Sequence, residues 1–453
     1  MLLRHTNVAV IGGGMLGMTL ARGLRAGGAT VTILEGAPRT GGLAAPASFG
    51  GYTWDRFYHV ILPTDSHLLA LLEELSLADR VRWRAVRTGF YTDGRLISLS
   101  STLDFIRFPA LSPLDKLRLA ATILRASRVR DWRPLEKILA VDWLRRWSGR
   151  RAVERIWLPL LRAKLGANAE LASAAFIWAT IARLYGARQT PVKRELFGYV
   201  EGGYATIVTR LEERLSAEGI RVRSGARVTE VRAQGSGAVV ELEGGERQEF
   251  DAVVLTLTCG QIAALCAQLT AAERERLRRV RYQGIVCAAL LLKRPLAPYY
   301  VTNITEGWVP FTGVVEMTSL VDRATFGGQS LVYLPRYVTQ EDRFWEREDS
   351  SIEQEFIAAL ARIYPGFRGD DVATCQISRV REMLAVSTLD YSTELAPPVT
   401  TSIPNVFVVN SAQIVNGTLN VNETIGLAEA TLPGLLGHIA AGTISEPTRL
   451  AAQ

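Results

Sequence analysis

Cysteine and histidine are scarce in this chain, with four of each in 453 residues. Cys259, Cys266, Cys287 and Cys375 show no CxxC step and sit in apolar contexts, so they read as reduced core thiols and exclude a disulfide framework. His5, His59, His67 and His438 form no ligand pair, and no metal is expected. Long apolar runs are missing too. The longest charge-free ones, Leu171 to Ala182 and Ile285 to Leu292, fall short of the roughly 18 residues of a bilayer span. An apolar run after Arg4 is interrupted by glycines before it can serve as a signal peptide, which makes a cytoplasmic location the expectation. Sequons at Asn303, Asn416 and Asn422 then carry little weight. With 48% hydrophobic residues, the chain can still bury two substantial cores.

Glycine, by contrast, is placed with purpose. The β-rich run Val8-Ala9-Val10-Ile11 enters Gly12-Gly13-Gly14-Met15-Leu16-Gly17, continues as a helical pattern, and returns as Thr30-Val31-Thr32-Ile33-Leu34 ending in Glu35. This is a dinucleotide fingerprint in a βαβ setting. Gly12 permits the tight turn, Gly14 the approach of a pyrophosphate, and Gly17 close helix–strand packing; Met15 and Leu16 open the helix whose N-terminus faces the phosphates. Glu35 is placed to accept ribose hydroxyls. Gly235-Ser236-Gly237 opens no helix and reads as a hairpin turn, so no second nucleotide domain is expected.

Downstream, Arg39-Thr40-Gly41-Gly42-Leu43 brings a second glycine pair, and here the chain resembles the FAD-binding amine oxidase superfamily. That group includes monoamine oxidases, protoporphyrinogen oxidases, phytoene desaturases and, more distantly, UDP-galactopyranose mutases. The resemblance implies FAD as cofactor, with Gly41 and Gly42 along its diphosphate and ribityl chain. Many members have Arg after this pair; Leu43 stands there instead, which leaves Arg39 to supply the phosphate contact. The likeness continues through Gly198 to Tyr204, the strand at Arg227 to Val231 with Val228 placed at the adenine, Phe250 to Thr256, and Asn405 to Gln413. In that last turn relatives usually carry Ala-Gly and an acid, whereas this chain has Asn410-Ser411-Ala412-Gln413.

The expected fold class is therefore α/β: a Rossmann-type FAD-binding domain interleaved with an α+β substrate domain that includes a helical cap. Residues 1–95, 196–280 and 400–453 are assigned to the FAD domain, and 96–195 with 281–399 to the substrate domain. A cap helix starts at Ser112, with Pro113 at its first position, Asp115 in its first turn, and Leu114, Leu117, Ala121 and Leu124 at helical spacing. Strands are expected at Ile285 to Leu292, Val314-Val315 and Leu331 to Leu334, and a helix from about Glu423 to Leu432.

Positive charge is concentrated in the cap. Between Arg80 and Lys164 there are 20 Lys plus Arg against 7 Asp plus Glu, a local net of +13 in a chain of +7. Trp83, Trp132, Trp143, Trp147 and Trp157 share this window, which suits the headgroups of an anionic membrane. A phosphate-bearing substrate, or incidental charge on a solvated cap, explains it equally. No reader motif accompanies the charge, and nucleic acid is not an expected partner.

Within the resemblance, amine oxidases hold a Lys near the flavin, six residues before a Lys-x-Pro-like step; aligned on Lys293-Arg294-Pro295, that place is Cys287. Their cage aromatic falls near Glu423. Both departures disfavour amine oxidation and favour removal of hydride from carbon in a lipophilic or phosphate-bearing small molecule. His59, in Trp54-Asp55-Arg56-Phe57-Tyr58-His59, is the candidate catalytic base, and an imidazole that only hydrogen-bonds the flavin or backbone is the alternative. A redox-neutral mutase acting on a nucleotide sugar and a non-catalytic flavin-binding protein stay open. Trp157 to Lys164 reads as core packing with a basic rim.

Overall fold

A computed structural model describes residues 3–186, 195–415 and 419–444. The buried run β1 (Asn7–Ile11) and β2 (Thr30–Glu35) lie in a five-stranded parallel sheet, ordered Val406–Val408, Ala252–Leu255, β1, β2, Arg221–Ser224. Strands buried on both faces explain why these segments are continuously apolar. Helix α1 (Met15–Ala26) crosses between β1 and β2 and buries Met15, Leu16, Met18, Leu20, Ala21 and Leu24. Its Gly23 lets the C-terminal helix Val421–Ile444 approach so closely that a Cβ there would meet Leu432 Cδ2 at 2.2 Å. That helix is longer than the expected segment and carries Pro433 inside it. A three-stranded meander, Val228–Gln234, Gly237–Leu242 and Arg247–Phe250, includes the hairpin read at Gly235 to Gly237.

The other half is a seven-stranded mixed sheet. Its middle strand Tyr282–Leu292 is buried along its whole length and pairs antiparallel with Ser330–Thr339 and Val372–Ala385. Thr88–Thr92 joins the same sheet, parallel to Val301–Ile304. The end of the 1–95 stretch thus pairs within the seven-stranded sheet. The sequon at Asn416 and residues 445–453 lie outside the described residues. Asn422 is buried, and its Oδ1 accepts the N–H groups of His67 and Leu68.

The cap is helical: Thr102–Arg107, Pro113–Arg128, Ala140–Ser148, Leu158–Leu165 and Ala174–Gly186. Ser112 and Asp115 form the reciprocal capping box expected of them. The apolar periodicity that predicted this helix nevertheless marks its outer face. Leu114, Leu117 and Leu124 are exposed, while Asp115, Leu119, Thr122 and Ala126 are buried. Polar residues can face inward here because each is satisfied: Asp115 by the box, Thr122 by Arg118 O and Ser148 Oγ.

Four of the five tryptophans in the basic window pack within the cap. Trp143 is buried, Trp157 Nε1 donates to Ser148 Oγ at 3.1 Å, and Trp147 is covered by the Arg125 guanidinium 3.8 Å from its centroid. Trp132 packs half-buried, and Trp83 lies outside the cap on Val81–Ala85. No described helix is long and apolar enough to cross a membrane.

Candidate active site

The two glycine segments form one cradle. Gly12 has φ +109°, and a side chain there would meet Thr256 Oγ1 at 2.3 Å; a Cβ at Gly17 would lie 1.9 Å from the Gly12 oxygen. Gly14 is extended and brings no side chain to cap α1, so first-turn N–H groups are left for an anionic ligand. Met15 and Leu16 turn their side chains into the core and offer only backbone. Gly41 N donates to Gly13 O at 2.8 Å, Gly14 and Gly41 form a parallel bridge, and a Cβ on Gly42 (φ +58°) would meet Gly14 Cα at 3.2 Å. Side chains at Gly12, Gly17, Gly41 and Gly42 would collide with the neighbouring chain, so glycine is what lets the two segments close on each other.

Around the cradle the predicted residues separate. Glu35 stands at the end of β2, its Oε2 accepting Gly13 N–H and its Oε1 accepting Ala37 N–H, each at 2.7 Å. The carboxylate is thereby fixed, with lone pairs remaining for hydroxyls. Segment 225–226 bonds along residues 35–37, and Arg227 packs at Gly36, one residue before Val228. Leu43 packs against the aromatic cluster of Trp54 and Phe57. Arg39 is exposed. The arginine that reaches the glycine pair is Arg56, whose Nη2 donates to Gly42 O at 3.3 Å while its buried Nε has no partner. Gln413 is engaged within its own turn: Oε1 accepts Asn410 N–H, and Nε2 donates to Pro397 O and Val408 O.

Beyond Arg56 lies the segment that carries His59. Asp55 is buried, its Oδ1 accepting Tyr204 N–H at 2.7 Å and its carbonyl accepting the Tyr333 hydroxyl at 2.5 Å. Burial pushes this carboxyl up to about 7. His59 Nδ1 lies 3.8 Å from Asp55 Oδ2, buried and without a hydrogen bond, and its ring sits 4.6 Å from that of Tyr204. Burial pushes the imidazole down to about 4, so it is neutral at pH 7 and a weak base.

The facing wall comes from the large sheet. Tyr58 and Tyr337 share a 2.7 Å hydroxyl–hydroxyl bond, and the Tyr58 ring lies 6.3 Å from that of Tyr333. Lys164, half-buried at the end of a cap helix, holds Nζ 4.9 Å from the Tyr337 centroid. Cys287 is buried beneath them, and burial holds its thiol protonated, which excludes a thiolate nucleophile. Arg56, Tyr58 and Asp55 were visible as neighbours of His59. Lys164 was read as a basic rim, and Tyr337 had no sequence signal, because only tertiary folding brings them together.

Comparisons with known proteins agree with this geometry. A family model described as flavin-containing amine oxidoreductase matches residues 16–420. Coproporphyrinogen III oxidase of Mycobacterium tuberculosis (strain H37Rv) is 29% identical over 276 residues, covering 56% of this chain and 60% of the relative's length. The chain thus spans less than two thirds of that relative. Among solved structures, a candidate protoporphyrinogen oxidase of Exiguobacterium sp. 255-15 superposes with TM-score 0.77 at 17% identity over 96% of this chain and 99% of its own. Putrescine oxidase bound to putrescine gives 0.75 at 18% identity, over 95% and 99%. At such identities the structures show a shared fold. With the family model covering most of the chain and the glycine cradle in place, the chain belongs to the flavin-containing amine oxidoreductase family and FAD is its cofactor.

Proposed function

We propose that the protein oxidises a large lipophilic molecule bearing an anionic group, by removing hydride from one of its carbons. The observation that carries this reading is Lys164 over the Tyr58–Tyr337 pair, a lysine ammonium where a substrate would face the cofactor. A cation there repels an ammonium substrate and attracts a carboxylate or phosphate. The name of the mycobacterial relatives gives the class a concrete member, coproporphyrinogen III, a reduced tetrapyrrole carrying carboxylates.

In this reading Gly12, Gly14, Gly41, Gly42 and the N-terminus of α1 hold the diphosphate, Arg56 adds charge beside it, and Glu35 accepts the ribose hydroxyls. Val228 lines the adenine, and Arg39 and Gln413 stand at the periphery. FAD supplies the acceptor of the hydride. Tyr58, Tyr333, Tyr337 and Cys287 form a neutral wall that excludes water and leaves the substrate's charge to Lys164. His59, neutral and 3.8 Å from Asp55, positions the substrate through its imidazole, and the proton lost with the hydride leaves to solvent.

Anaerobic mixing with porphyrinogens, anionic lipids and primary amines tests this, read as loss of oxidised-flavin absorbance. Bleaching by an anionic apolar compound and not by amines supports it. Bleaching by amines alone overturns it. Turnover of a nucleotide sugar only after prior flavin reduction, with no net redox change, would assign a mutase instead.

A further inference from the structure

We propose that the outer face of the cap helix Pro113–Arg128, together with Leu103 and Ile106 of the helix before it, docks on an anionic lipid bilayer. Nine large apolar side chains are exposed among the described residues, and five of them gather here: Leu117 at 68% exposure, Ile106 at 61%, Leu114 at 57%, Leu103 at 52% and Leu124 at 39%. Leu114, Leu117 and Leu124 recur at helical spacing along one stripe, with the exposed Ala121 between them. The two helices are tied together where Lys116 Nζ donates to Ile106 O at 2.5 Å, so the stripe and Ile106 form one patch. A helix that turns leucines outward and buries Asp115 and Thr122 reverses the usual arrangement, and contiguous exposed apolar surface of this kind marks an interaction site.

Charge identifies the occupant. Arg107, Arg118, Arg125 and Arg128 are exposed on the same two helices. The ion pairs of the cap run to other arginines: Arg133, Arg145, Arg150, Arg151, Arg155 and Arg162. Among the described residues no carboxylate pairs with Arg107 or Arg128, and Arg125 lies over the Trp147 ring, so no anion neutralises these three beside the leucines. An apolar stripe flanked by arginine matches acyl chains beneath anionic headgroups. Pairing with a second copy about a two-fold axis would bring the same arginines against one another, which disfavours self-association.

The placement also serves the reading above, on which this one consequence rests. Phe108, Leu119 and Ile156 join the patch-bearing helices to a cluster against which Leu160 packs, and Leu160 belongs to the helix Leu158–Leu165 that carries Lys164. Docking would set the cap between the bilayer and the substrate wall, on the route of a lipophilic molecule. The docking itself needs no substrate.

Sedimentation of the FAD-loaded protein with phosphatidylcholine vesicles, with and without phosphatidylglycerol, tests it. Binding is expected only with phosphatidylglycerol and should weaken as salt shortens the Debye length. Leu114→Asp/Leu117→Asp and the milder Leu114→Ser/Leu117→Ser should each lower partitioning, the former by roughly tenfold or more, with flavin absorbance unchanged. Arg107→Glu/Arg128→Glu should lower it as well. Wild-type protein that fails to pellet, leucine variants that pellet equally, or equal binding to neutral vesicles would overturn the proposal. So would a lipid-free dimer that Leu117→Asp dissolves. Because the assay contains no substrate, its failure leaves the hydride-transfer reading standing, and failure of substrates to bleach the flavin leaves the docking result standing.

Discussion

Arg56 Nη2 donates to the Gly42 carbonyl at 3.3 Å, which brings a guanidinium to the glycine pair from fourteen residues further along the chain. Leu43, directly after the glycine pair, carries no charge, and Arg39 is exposed. Arg56→Ala should weaken FAD retention by about 1.5–3 kcal/mol, the scale of a charge-assisted hydrogen bond, and Arg39→Ala should change it little. Flavin content after extended dialysis measures both. The reverse order would return the role to Arg39.

Glu35 holds more than a ligand. Its carboxylate already accepts Gly13 N–H and Ala37 N–H, so removing it unfastens the turn as well as the ribose contact. Glu35→Ala should reduce FAD affinity by at least about 1.5–3 kcal/mol. Glu35→Gln should be nearly as damaging, because its amide would direct N–H toward one of two donors. A Gln variant with wild-type affinity would show that only the ribose contact matters.

What could be read from the sequence follows the range of the interactions. The strand–turn–helix from Asn7 to Ala26, Glu35 and the strand Ala252–Leu255 rest on local patterns, and they stand where they were expected. Periodicity also found the helix at Pro113, but period alone cannot say which side faces the core. That choice was made by the capping box and by Ser148, which satisfy Asp115 and Thr122 on the inside. Of the five tryptophans in the basic window, Trp132, Trp143, Trp147 and Trp157 pack the cap, while Trp83 is exposed on a strand outside it. Tyr337 meets Tyr58 across a separation of 279 residues, a contact that one sequence does not display.

Asp55 and His59 should leave opposite marks on stability. Burial raises Asp55 from 3.8 to about 7, so its contribution is full below the unfolded value and is lost as pH rises through 7. His59 is lowered from 6.5 to about 4, so its contribution is present above 6.5 and lost as pH falls through 4. Asp55→Asn keeps an acceptor for Tyr204 and cannot ionise. Its Tm should therefore fall less than the wild type's as pH rises from about 4 to 7. Parallel curves would mean that Asp55 is ionised throughout.

The weak basicity of His59 also limits its share of catalysis. His59→Ala should retain FAD and slow substrate-driven flavin reduction by less than about tenfold, since a general base typically contributes 10²–10⁴. A loss of roughly 100-fold, together with a shifted pH–rate profile, would make His59 the proton acceptor after all.

Lys164 provides the sharpest test of the substrate class. Its Nζ lies 4.9 Å from the Tyr337 centroid, on the wall proposed to face the substrate, and on that reading its positive charge acts on a bound anion before and during the reaction alike. Uniform binding of that kind appears in KM rather than kcat. Lys164→Ala should therefore raise KM for a carboxylate-bearing substrate by roughly tenfold, with kcat changed less, and Lys164→Arg should recover most of the loss. The esterified, uncharged form of the same substrate should be indifferent to the substitution, because it offers no anion for the ammonium to hold. If Lys164→Ala raises KM equally for the acid and the ester, the lysine acts by packing its stem, and the case for an anionic substrate falls with it.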